Sequence, residues 1–446
     1  MRKFLVVLFF LSCLSSSFSQ SLIGCWNGKL SIGFNSLNLV FHIDNAQTVT
    51  MDSPDQGAYQ IPTSVTYFSS DSVSVEMEQL GAAFRGKLAN GIIKGVFSQG
   101  GYDFPLELKP GNILLNRPQN PVSPLPYHTQ EVSFKNETVT LGGTLTYPVN
   151  FKKGCPVVLL ISGSGQQNRD EEIMGHKPFL VLADYLARHG IATLRYDDRG
   201  VGQSTGMLDS LTMDDEILDA QSGIQYLRRL HQFGKVGVIG HSEGGTIGLM
   251  LASKKKIDFL VSMAGPILPN DSILLMQNYD LLMVAGCDSA TSKNYCKAFD
   301  RVFKYILSTA NRQTTQLNAD MTLAGLTYDI NLPQGMKDNL RAVLKTNNPW
   351  FKSFLAFNPT SAVGKINCPV FALGGSKDLQ VRSSANLSAT KRLLPTSVTK
   401  EYSGLNHLFQ PCTTGMVTEY SKIETTIADI VLQDIALWII QVASRN

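Results

Sequence analysis

The sequence predicts a protein of the α/β class: a mostly parallel sheet flanked by helices, with a helical cap insertion, preceded by a small antiparallel β-barrel or sandwich domain. Two different patterns of apolar and polar residues along the 446-residue chain lead to this prediction. Apolar and polar residues alternate from residue 21 to about 113, and beyond about 129 apolar strands alternate with helical segments. One connection of about a hundred residues, from Gly265 to Pro369, is too long for a simple crossover and must carry structure of its own.

The composition is that of an ordinary globular protein. Hydrophobic residues make up 43% and charged residues 17% of the chain, and the formal net charge is +3. Such a small charge gives no basic field for nucleic acid, so we expect neither a nucleic-acid partner nor binding to an anionic membrane surface. The oligomeric state is left open.

Residues 1–20 have the layout of a signal peptide, with a basic start, an apolar run over residues 4–11 and small polar residues after it. A membrane-spanning helix needs about 20 apolar residues, and no stretch of the chain is that long. We therefore expect export to the periplasm or the medium, with cleavage after Ser19. The sequence L-S-C at 11–13 also resembles a lipoprotein processing site, which leaves a lipid anchor on Cys13 open.

Residues 21–113 form the predicted antiparallel β domain. Asn90-Gly91 separates two strand patterns and tolerates positive φ, as a two-residue hairpin turn requires. His42 is interpreted as a solvent-facing strand residue, since no second His or Cys stands at the spacing of a metal ligand. Residues 114–128 are proline-rich, which prevents a helix or a central strand and favours an extended linker.

Residues 129–446 form the predicted α/β domain. Near-continuous Val, Ile and Leu runs are typical of parallel strands that are covered on both faces. The predicted strands are 156–163, 191–197, 235–240, 258–265, 369–375 and 399–404. The long connection predicts a helical cap at about 268–362, whose Leu- and Met-rich first helix either lines an acyl pocket or packs in the core of the cap.

Two cysteines of the predicted cap, Cys287 and Cys296, are the best candidates for a disulfide in an exported protein. Two unpaired thiols are an equally good interpretation. Cys155 and Cys368, which precede strands that are not expected to be neighbours, are interpreted as buried free thiols.

Ser242 is the candidate nucleophile. G-x-S-x-G is a weak motif by itself, and the chain carries it twice, around Ser204 and around Ser242. A strand pattern ends directly before Ser242 and a run of small residues able to begin a helix follows it, whereas Ser204 has neither and is interpreted as a loop serine. A sharp strand-to-helix turn would hold the Ser242 hydroxyl above the sheet at a helix N-terminus.

A serine nucleophile needs a base, and the base needs an acid that orients it. His407 is the one histidine after Ser242 in the chain and follows the last predicted strand. Asp378 follows strand 369–375 at the same sheet edge and is the favoured acid; Asp271, one strand earlier, is the competitor. His241 is interpreted as a packing residue.

Acyl transfer also needs hydrogen-bond donors for the oxyanion. The backbone N–H of Glu243, directly after the nucleophile, is one predicted donor. The second is expected in the glycine-rich loop after strand 156–163, with the N–H of Ser164 favoured and that of Gly165 next.

These residues resemble bacterial exported α/β-hydrolases of the carboxylesterase type that carry a small β-rich N-terminal domain. The matching elements are G-S-G-Q-Q-N-R-D-E at 163–171, R-Y-D-D-R-G-V-G-Q-S at 195–204, G-H-S-E-G-G at 240–245, G-G-S-K-D at 374–378 and L-N-H-L-F at 405–409. The resemblance implies the α/β-hydrolase fold, a triad of Ser242, Asp378 and His407, hydrolysis of short or medium acyl esters, and no metal or other cofactor. Where such relatives often read H-G-S-G-P, this chain has Ser162 and Gln166 in place of the His and the Pro.

The sequence therefore predicts a serine hydrolase that cleaves small carboxylic esters through an acyl-enzyme on Ser242. Two alternatives stay open: a serine peptidase or aminopeptidase with the same triad, and a non-catalytic surface protein in which the β domain binds a lipid or glycan. We interpret Arg169-Asp170 and Asp197-Asp198-Arg199 as charge pairs that brace the loops around the site.

Overall fold

The computed structural model of the chain describes residues 21–32, 35–56, 58–113, 115–309, 316–346 and 348–445. The chain divides into two compact units, residues 1–114 and 115–446. The predicted signal peptide over residues 1–20, including Cys13, lies outside the described residues and stays a prediction.

In its described residues the smaller unit forms one antiparallel sheet of nine strands, in the order β4-β3-β2-β1-β9-β8-β7-β6-β5. The strands are β1 (Gly24–Ile32), β2 (Asn35–Ile43), β3 (Val49–Ser53), β4 (Ala58–Pro62), β5 (Ser64–Phe68), β6 (Ser72–Met77), β7 (Ala82–Ala89), β8 (Ile92–Gln99) and β9 (Tyr102–Pro110).

The smaller unit is a nearly closed barrel. Its two edge strands, β4 and β5, are separated by Thr63 alone, so the sheet has to curl until its edges approach each other there. Strands from both halves of the sheet contribute to one core, in which the rings of Phe41 and Phe84 lie 4.8 Å apart. At the turn between β7 and β8, Asn90 and Gly91 both have positive φ, as predicted for a two-residue hairpin.

The described residues of the larger unit form an eight-stranded sheet in the order β10-β11-β13-β12-β14-β15-β16-β17. The strands are β10 (His128–Asn136), β11 (Val139–Tyr147), β12 (Val157–Ile161), β13 (Ala192–Tyr196), β14 (Val236–His241), β15 (Leu260–Met263), β16 (Val370–Gly375) and β17 (Val398–Tyr402). The sheet is parallel from β13 to β17, and β10 and β11 are antiparallel to their neighbours.

The described residues of the larger unit also form eleven helices. They are α1 (Pro178–Arg188), α2 (Met213–Arg229), α3 (Glu243–Ser253), α4 (Asn270–Val284), α5 (Ser289–Ser308), α6 (Gln316–Leu326), α7 (Gln334–Lys345), α8 (Pro349–Ala356), α9 (Thr360–Val363), α10 (Ser383–Leu393) and α11 (Asp429–Ala443). In β12, Val157 and Leu159 belong to the core shared with α2 and α3, whereas Val158 and Leu160 belong to the core shared with α1 and α11. Both faces of the central strands β12 to β16 are therefore buried, which explains their continuous apolar runs, whereas the edge strands β10 and β17 are partly exposed.

Helices α4–α9 form the cap between β15 and β16. They enclose a core of their own around Phe299, Phe303 and Leu340. Leu274 and Leu275 of α4 pack against that core, which favours the packing interpretation of this Leu- and Met-rich helix. The predicted class, an α/β domain with a helical insertion behind an antiparallel β domain, is confirmed.

The first residues of the larger unit are tied to it by hydrogen bonds. Arg117 Nη2 donates to the carbonyl of Met174 at 2.8 Å and to that of Ser421 at 3.1 Å, and Gln119 Nε2 donates to the carbonyl of Ile427 at 2.7 Å. This part of the predicted linker therefore packs against the larger unit.

The cysteines in the described residues, Cys287 and Cys296 included, are all free thiols. The two interpretations of that pair are thus resolved in favour of unpaired thiols. Across the residues that the structure describes, every helix is too short or too polar to cross a membrane.

Candidate active site

The candidate residues lie in loops at one edge of the sheet. Strands β12, β14, β16 and β17 run parallel, so their carboxyl ends lie at the same edge. Ser164 follows β12, Ser242 follows β14, Asp378 follows β16 and His407 follows β17. The topology thus brings together loops that are distant in sequence.

Ser242 occupies a sharp turn between β14 and α3. It is the N-cap of α3, with φ 52° and ψ −121°, a conformation that side-chain-bearing residues rarely adopt. A Cβ at Gly240 would lie 2.1 Å from the carbonyl oxygen of Gly244, and a Cβ at Gly244 would lie 2.1 Å from that of Ile161. Glycine is therefore required for the strand and the helix to approach closely enough to hold this strained turn.

Ser204, in the second G-x-S-x-G match, lies in the loop between β13 and α2. Its Oγ donates to the carbonyl of Asp197 at 2.6 Å and accepts from the N–H of Gly142 at 3.0 Å. This hydroxyl is committed to holding a loop.

His407 and Asp378 form a buried pair. His407 Nδ1 lies 2.8 Å from Asp378 Oδ2, and Asp378 Oδ1 accepts from the backbone N–H groups of Gln380 and Val381, each at 2.8 Å. Because the carboxylate can only accept, the proton lies on Nδ1, and Nε2 of the neutral ring is left as the basic nitrogen. The loop is fixed by Asn406, whose Oδ1 accepts from two backbone N–H groups further along the turn.

Asp271, the competing acid, is not part of this pair. It lies in the first turn of α4, where its Oδ1 accepts from the N–H and the hydroxyl of Ser272. The structure thus brings Asp378 rather than Asp271 to His407.

His241, the residue before Ser242, contacts His407. The rings of His241 and His407 have centroids 4.7 Å apart, and His241 Nε2 lies 3.0 Å from the carbonyl oxygen of His407. Among the described residues, Ser242 Oγ forms no hydrogen bond with the imidazole of His407. Within the described part of the chain, hydrogen bonds therefore join His407 to Asp378 but not to Ser242.

Two backbone N–H groups beside Ser242 are available to a ligand. The N–H of Glu243 is the first of α3, and the first four N–H groups of a helix have no intrahelical acceptor. In the loop after β12, the N–H of Gly163 donates to Glu171 Oε1 at 2.7 Å, but that of Ser164 donates to no described residue. Gly165 has φ 96°, a conformation favoured by glycine.

A buried ion pair lies behind this loop and was not recognised in the sequence. Glu171 Oε1 lies 2.9 Å from His241 Nδ1 and accepts the Gly163 N–H as well. Burial lowers the pKa of His241, but the carboxylate of Glu171 and the carbonyl of His407 outweigh it and hold the pKa above its ordinary value. His241 is therefore more than a packing residue, because with Glu171 it links the loops that carry Ser164 and His407.

Other charged pairs brace the surrounding loops, as the sequence suggested. Arg169 donates from Nε and Nη2 to Asp197, and Arg199 donates from Nε and Nη2 to Asp219 at 2.9 and 2.8 Å. Asp198 differs from its neighbours: its carboxylate accepts from the hydroxyl of Ser162 and lines a cavity.

A cavity of about 630 Å³ is lined by residues next to the candidate nucleophile, although Ser242 and His407 are not among its described lining residues. Its wall includes Gly163 and Gly165 of the loop after β12, Glu243 of α3, Glu216 of α2 and Trp350 of α8. Nowhere in the described parts of the chain do three or more His, Cys, Asp or Glu side chains form a group able to hold a metal ion. The cavity wall thus extends from Gly163 and Glu243, next to the candidate nucleophile, to Trp350 of the cap.

Comparison with known proteins identifies relatives of the larger unit. A family model described as alpha/beta hydrolase fold matches residues 156–411. Esterase EstD of Thermotoga maritima is 30% identical over 154 residues, which are 34% of this chain and 37% of that protein. An acyl transferase of Photobacterium phosphoreum is 27% identical over 107 residues, 24% of this chain and 35% of that protein. The matches span about a third of the length of these curated relatives.

Solved structures with a related fold include Est1E from Butyrivibrio proteoclasticus with bound ferulic acid. The TM-score is 0.44 at 15% sequence identity, and the alignment covers 70% of this chain and all of Est1E. At this level the likeness concerns the fold alone.

Proposed function

This chain belongs to the α/β-hydrolase fold family, whose model covers more than half of it, and from that premise we propose that it is a serine hydrolase that cleaves carboxylic esters. The observation that carries the proposal is the buried His407–Asp378 bond of 2.8 Å at the sheet edge where Ser242 stands in its strained turn. The similarity to an esterase of Thermotoga maritima supports the same choice of bond.

The proposed cycle begins with proton transfer. His407 Nε2 takes the proton of Ser242 as Oγ attacks the acyl carbon, and Asp378 holds the ring in the required tautomer and stabilises its cation. The imidazolium then protonates the leaving alcohol, and an acyl-enzyme remains on Ser242. A water molecule, deprotonated by His407, releases the acid and regenerates the serine.

The negative charge of each tetrahedral intermediate needs donors that are already in place. The N–H groups of Glu243 and Ser164 suit this role, because neither donates to another described residue. Glu243 follows Ser242 directly, and Ser164 follows Gly163, at which a Cβ would lie 3.3 Å from Ser242 Cβ. Pre-oriented donors stabilise developing charge without reorganisation, and each is commonly responsible for a hundredfold to thousandfold in rate, roughly.

The test replaces the candidate nucleophile. Ser242→Ala should abolish both hydrolysis of nitrophenyl butyrate and labelling by a fluorophosphonate probe, with an unchanged melting temperature. Ser204→Ala, in the other G-x-S-x-G match, is the matched control and should keep both. Full activity in Ser242→Ala would refute the proposal, and absence of labelling in the wild type would instead favour a non-catalytic binding protein.

We propose short or medium acyl chains as the substrates of this site. A panel of nitrophenyl esters with graded acyl length should show a maximum in kcat/KM within this range, since a cavity of about 630 Å³ suits a small ligand. A steady rise in kcat/KM to the longest chains would contradict it.

A serine peptidase with the same three residues is the second candidate. It is favoured by the carboxyl groups in the cavity wall, which could hold the amino terminus of a peptide. Faster turnover of an aminoacyl amide than of the matching ester would favour the peptidase.

We also propose that residues 1–20 direct export. N-terminal sequencing of the protein produced with its full sequence should then begin near residue 20. A lipid-modified cysteine at position 13 would instead indicate a membrane anchor.

A further inference from the structure

The cavity beside Ser242 is strongly acidic. Five residues with carboxyl groups line its wall: Asp198, Asp209, Glu216, Asp219 and Glu243. Three of them come from different places in the fold, since Asp198 follows β13, Glu216 lies on α2 and Glu243 begins α3. Among the described lining residues Arg199 is the one cation, and Asp219 already engages it through two hydrogen bonds. The cavity wall therefore carries more carboxyl groups than cationic groups.

Among the described residues, the carboxyl group of Glu243 has no side-chain partner other than another carboxyl group. The residue is 4% exposed, and neither carboxyl oxygen receives a hydrogen bond from a donor among the described residues. The group it meets is the carboxyl of Glu216, and the two can form a side-chain hydrogen bond only while one of them is protonated. A buried carboxylate without a cation or a donor is energetically costly, so the arrangement is incomplete without a bound proton or a bound cation.

The ionisation of the cluster agrees with this view. Burial raises the pKa of Glu216 to about 7, with the charges of Asp219 and Asp215 adding to the rise. Burial and the facing charge of Glu216 hold the pKa of Glu243 well above its ordinary value, and burial does the same for Asp198. Near neutral pH these carboxyl groups thus retain protons, which a bound cation could replace.

The wall also indicates what kind of cation fits. Hydrophobic side chains, among them Leu208, Leu211 and Ile247, share the wall with the carboxyl groups, which suits an organic cation. Trp350 donates from its indole N–H to Glu216 Oε2 at 3.3 Å, so an aromatic ring lies directly beside the carboxyl group. Carboxylates together with an aromatic ring are the usual environment for an organic ammonium group.

We propose that this cavity is a subsite for a positively charged ammonium group of the substrate. The inference rests on the proposed function, and it narrows the substrates to esters with a cation close to the scissile bond. The closeness follows from the chain itself, since Glu243 is bonded to Ser242 and Gly163 lies in both the cavity wall and the loop of the candidate oxyanion donor.

Two pairs of isosteric esters test the proposal and locate the cation. The first pair is butyrylcholine and dimethylbutyl butyrate, in which carbon replaces the charged nitrogen, so the two esters differ in the charge of the alcohol part. The second pair is alanine ethyl ester and ethyl isobutyrate, which differ in the charge of the acyl part. In one of these pairs the charged ester should have a kcat/KM about tenfold or more above that of the neutral one, and the pair that responds identifies the side. Equal or better hydrolysis of both neutral esters would overturn the proposal and leave the proposed esterase function intact.

Glu216→Gln tests whether the cavity causes the preference. This variant should bring the ratio of charged to neutral kcat/KM close to one, and the ratio cancels any effect that the substitution has on both esters alike. Asp214→Asn, an exposed carboxylate on the same helix, is the matched control and should keep the full ratio. An unchanged ratio in Glu216→Gln would overturn the proposal.

Binding gives a measurement that does not depend on hydrolysis. Choline alone should raise the melting temperature of the wild type and of Asp214→Asn, but not that of Glu216→Gln. If no ester is cleaved and choline still stabilises in this pattern, the esterase proposal falls and the cation subsite stands. If esters are cleaved and choline stabilises none of the proteins, the subsite falls.

Discussion

Each of the two units holds a histidine between a carboxylate and a nucleophilic residue. In the larger unit, His407 bonds Asp378 at 2.8 Å, and Ser242 stands nearby without a hydrogen bond to the ring among the described atoms. In the smaller unit, His42 Nε2 lies 2.7 Å from Asp52 Oδ2, and its Nδ1 lies 3.2 Å from Cys25 Sγ. By hydrogen bonds alone, the β-barrel has the more complete triad.

The two clusters differ in the surroundings of the nucleophilic residue. Cys25 lies on β1, directly opposite His42 on β2, and β1 lies between β2 and β9, so neighbouring backbone groups are engaged in the sheet. Ser242 instead begins a helix, beside two N–H groups without described acceptors and a cavity of about 630 Å³. A nucleophile, a base and an acid are therefore not enough to identify an acyl-transfer site; donors for the oxyanion and room for the substrate decide it.

The largest effect is expected from replacing the carboxylate that bonds the histidine in each cluster. Asp378→Asn should lower kcat/KM for nitrophenyl butyrate by about a thousandfold to ten-thousandfold, because the amide no longer holds His407 in the tautomer that leaves Nε2 basic. The corresponding change in the β-barrel, Asp52→Asn, should leave hydrolysis within about twofold of the wild type. The measurement is steady-state kinetics on both purified proteins.

A large loss of activity in Asp52→Asn would mean that the two histidine clusters contribute to one function. Melting temperatures of both variants separate such a result from unfolding, since each substitution removes acceptors from a partly or fully buried network.

The next effect concerns Glu171, for which the β-barrel cluster has no counterpart in its described residues. Glu171→Gln removes the negative charge that faces His241 and weakens the link between the Gly163 loop and the loop of His407. We expect kcat to fall by about tenfold to a hundredfold with KM nearly unchanged, because the substrate still binds while the reacting groups are less well placed. Glu172→Gln, an exposed neighbour, is the control and should change neither constant. A rise in KM at constant kcat would indicate substrate binding instead of positioning.

Much of the α/β fold and the arrangement of its candidate site could be predicted because the signals are local. Gly240, Ser242 and Gly244 identify the strand-to-helix turn in a few residues, and parallel strands place the residues that follow them at one edge. The chain order of serine, acid and histidine then points to Asp378 and His407, which the structure brings together.

The rest depends on register and packing, which spacing does not reveal. His42 lies on the outer face of β2, between the buried Phe41 and Ile43, as predicted for a solvent-facing strand residue. The sequence did not reveal that antiparallel pairing sets it opposite Cys25 and that Asp52 reaches it from β3. Spacing does not reveal this cluster, because the hairpin register joins residues that are 17 positions apart. Likewise, the contact of Glu216 with Glu243 joins two helices, and neither helix alone indicates an acidic cavity.

The third prediction concerns the stability cost of the acidic cavity. Glu216 has a folded-state pKa of about 7, above its ordinary value of 4.5, so between these pH values the folded protein keeps a proton that the unfolded chain releases. The free energy of unfolding of the wild type should therefore fall as the pH rises through this window. Glu216→Gln removes this loss and should be more stable than the wild type by on the order of 2 kcal/mol at about pH 8, but not at about pH 4.

Urea unfolding at several pH values measures this difference. Because the charge of Glu216 also contributes to the raised pKa of Glu243, both effects of the substitution have the same sign. Asp214→Asn should show no such dependence, since its carboxylate is exposed. A difference between Glu216→Gln and wild type that stays constant with pH would contradict the buried acidic pair.

The smallest effect is expected in the β-barrel, where the nucleophilic residue of the cluster is replaced. Cys25→Ala removes one hydrogen bond from a half-buried thiol, while His42 keeps its bond to Asp52, so the free energy of unfolding should fall by about 1 kcal/mol or less. Ester hydrolysis and fluorophosphonate labelling should equal those of the wild type, because the oxyanion donors and the acidic cavity lie in the larger unit. If Cys25→Ala instead lost turnover of an ester that Ser242→Ala still cleaved, the β-barrel cluster would be a second acyl-transfer site, and donors for the oxyanion would not be the feature that separates the two regions.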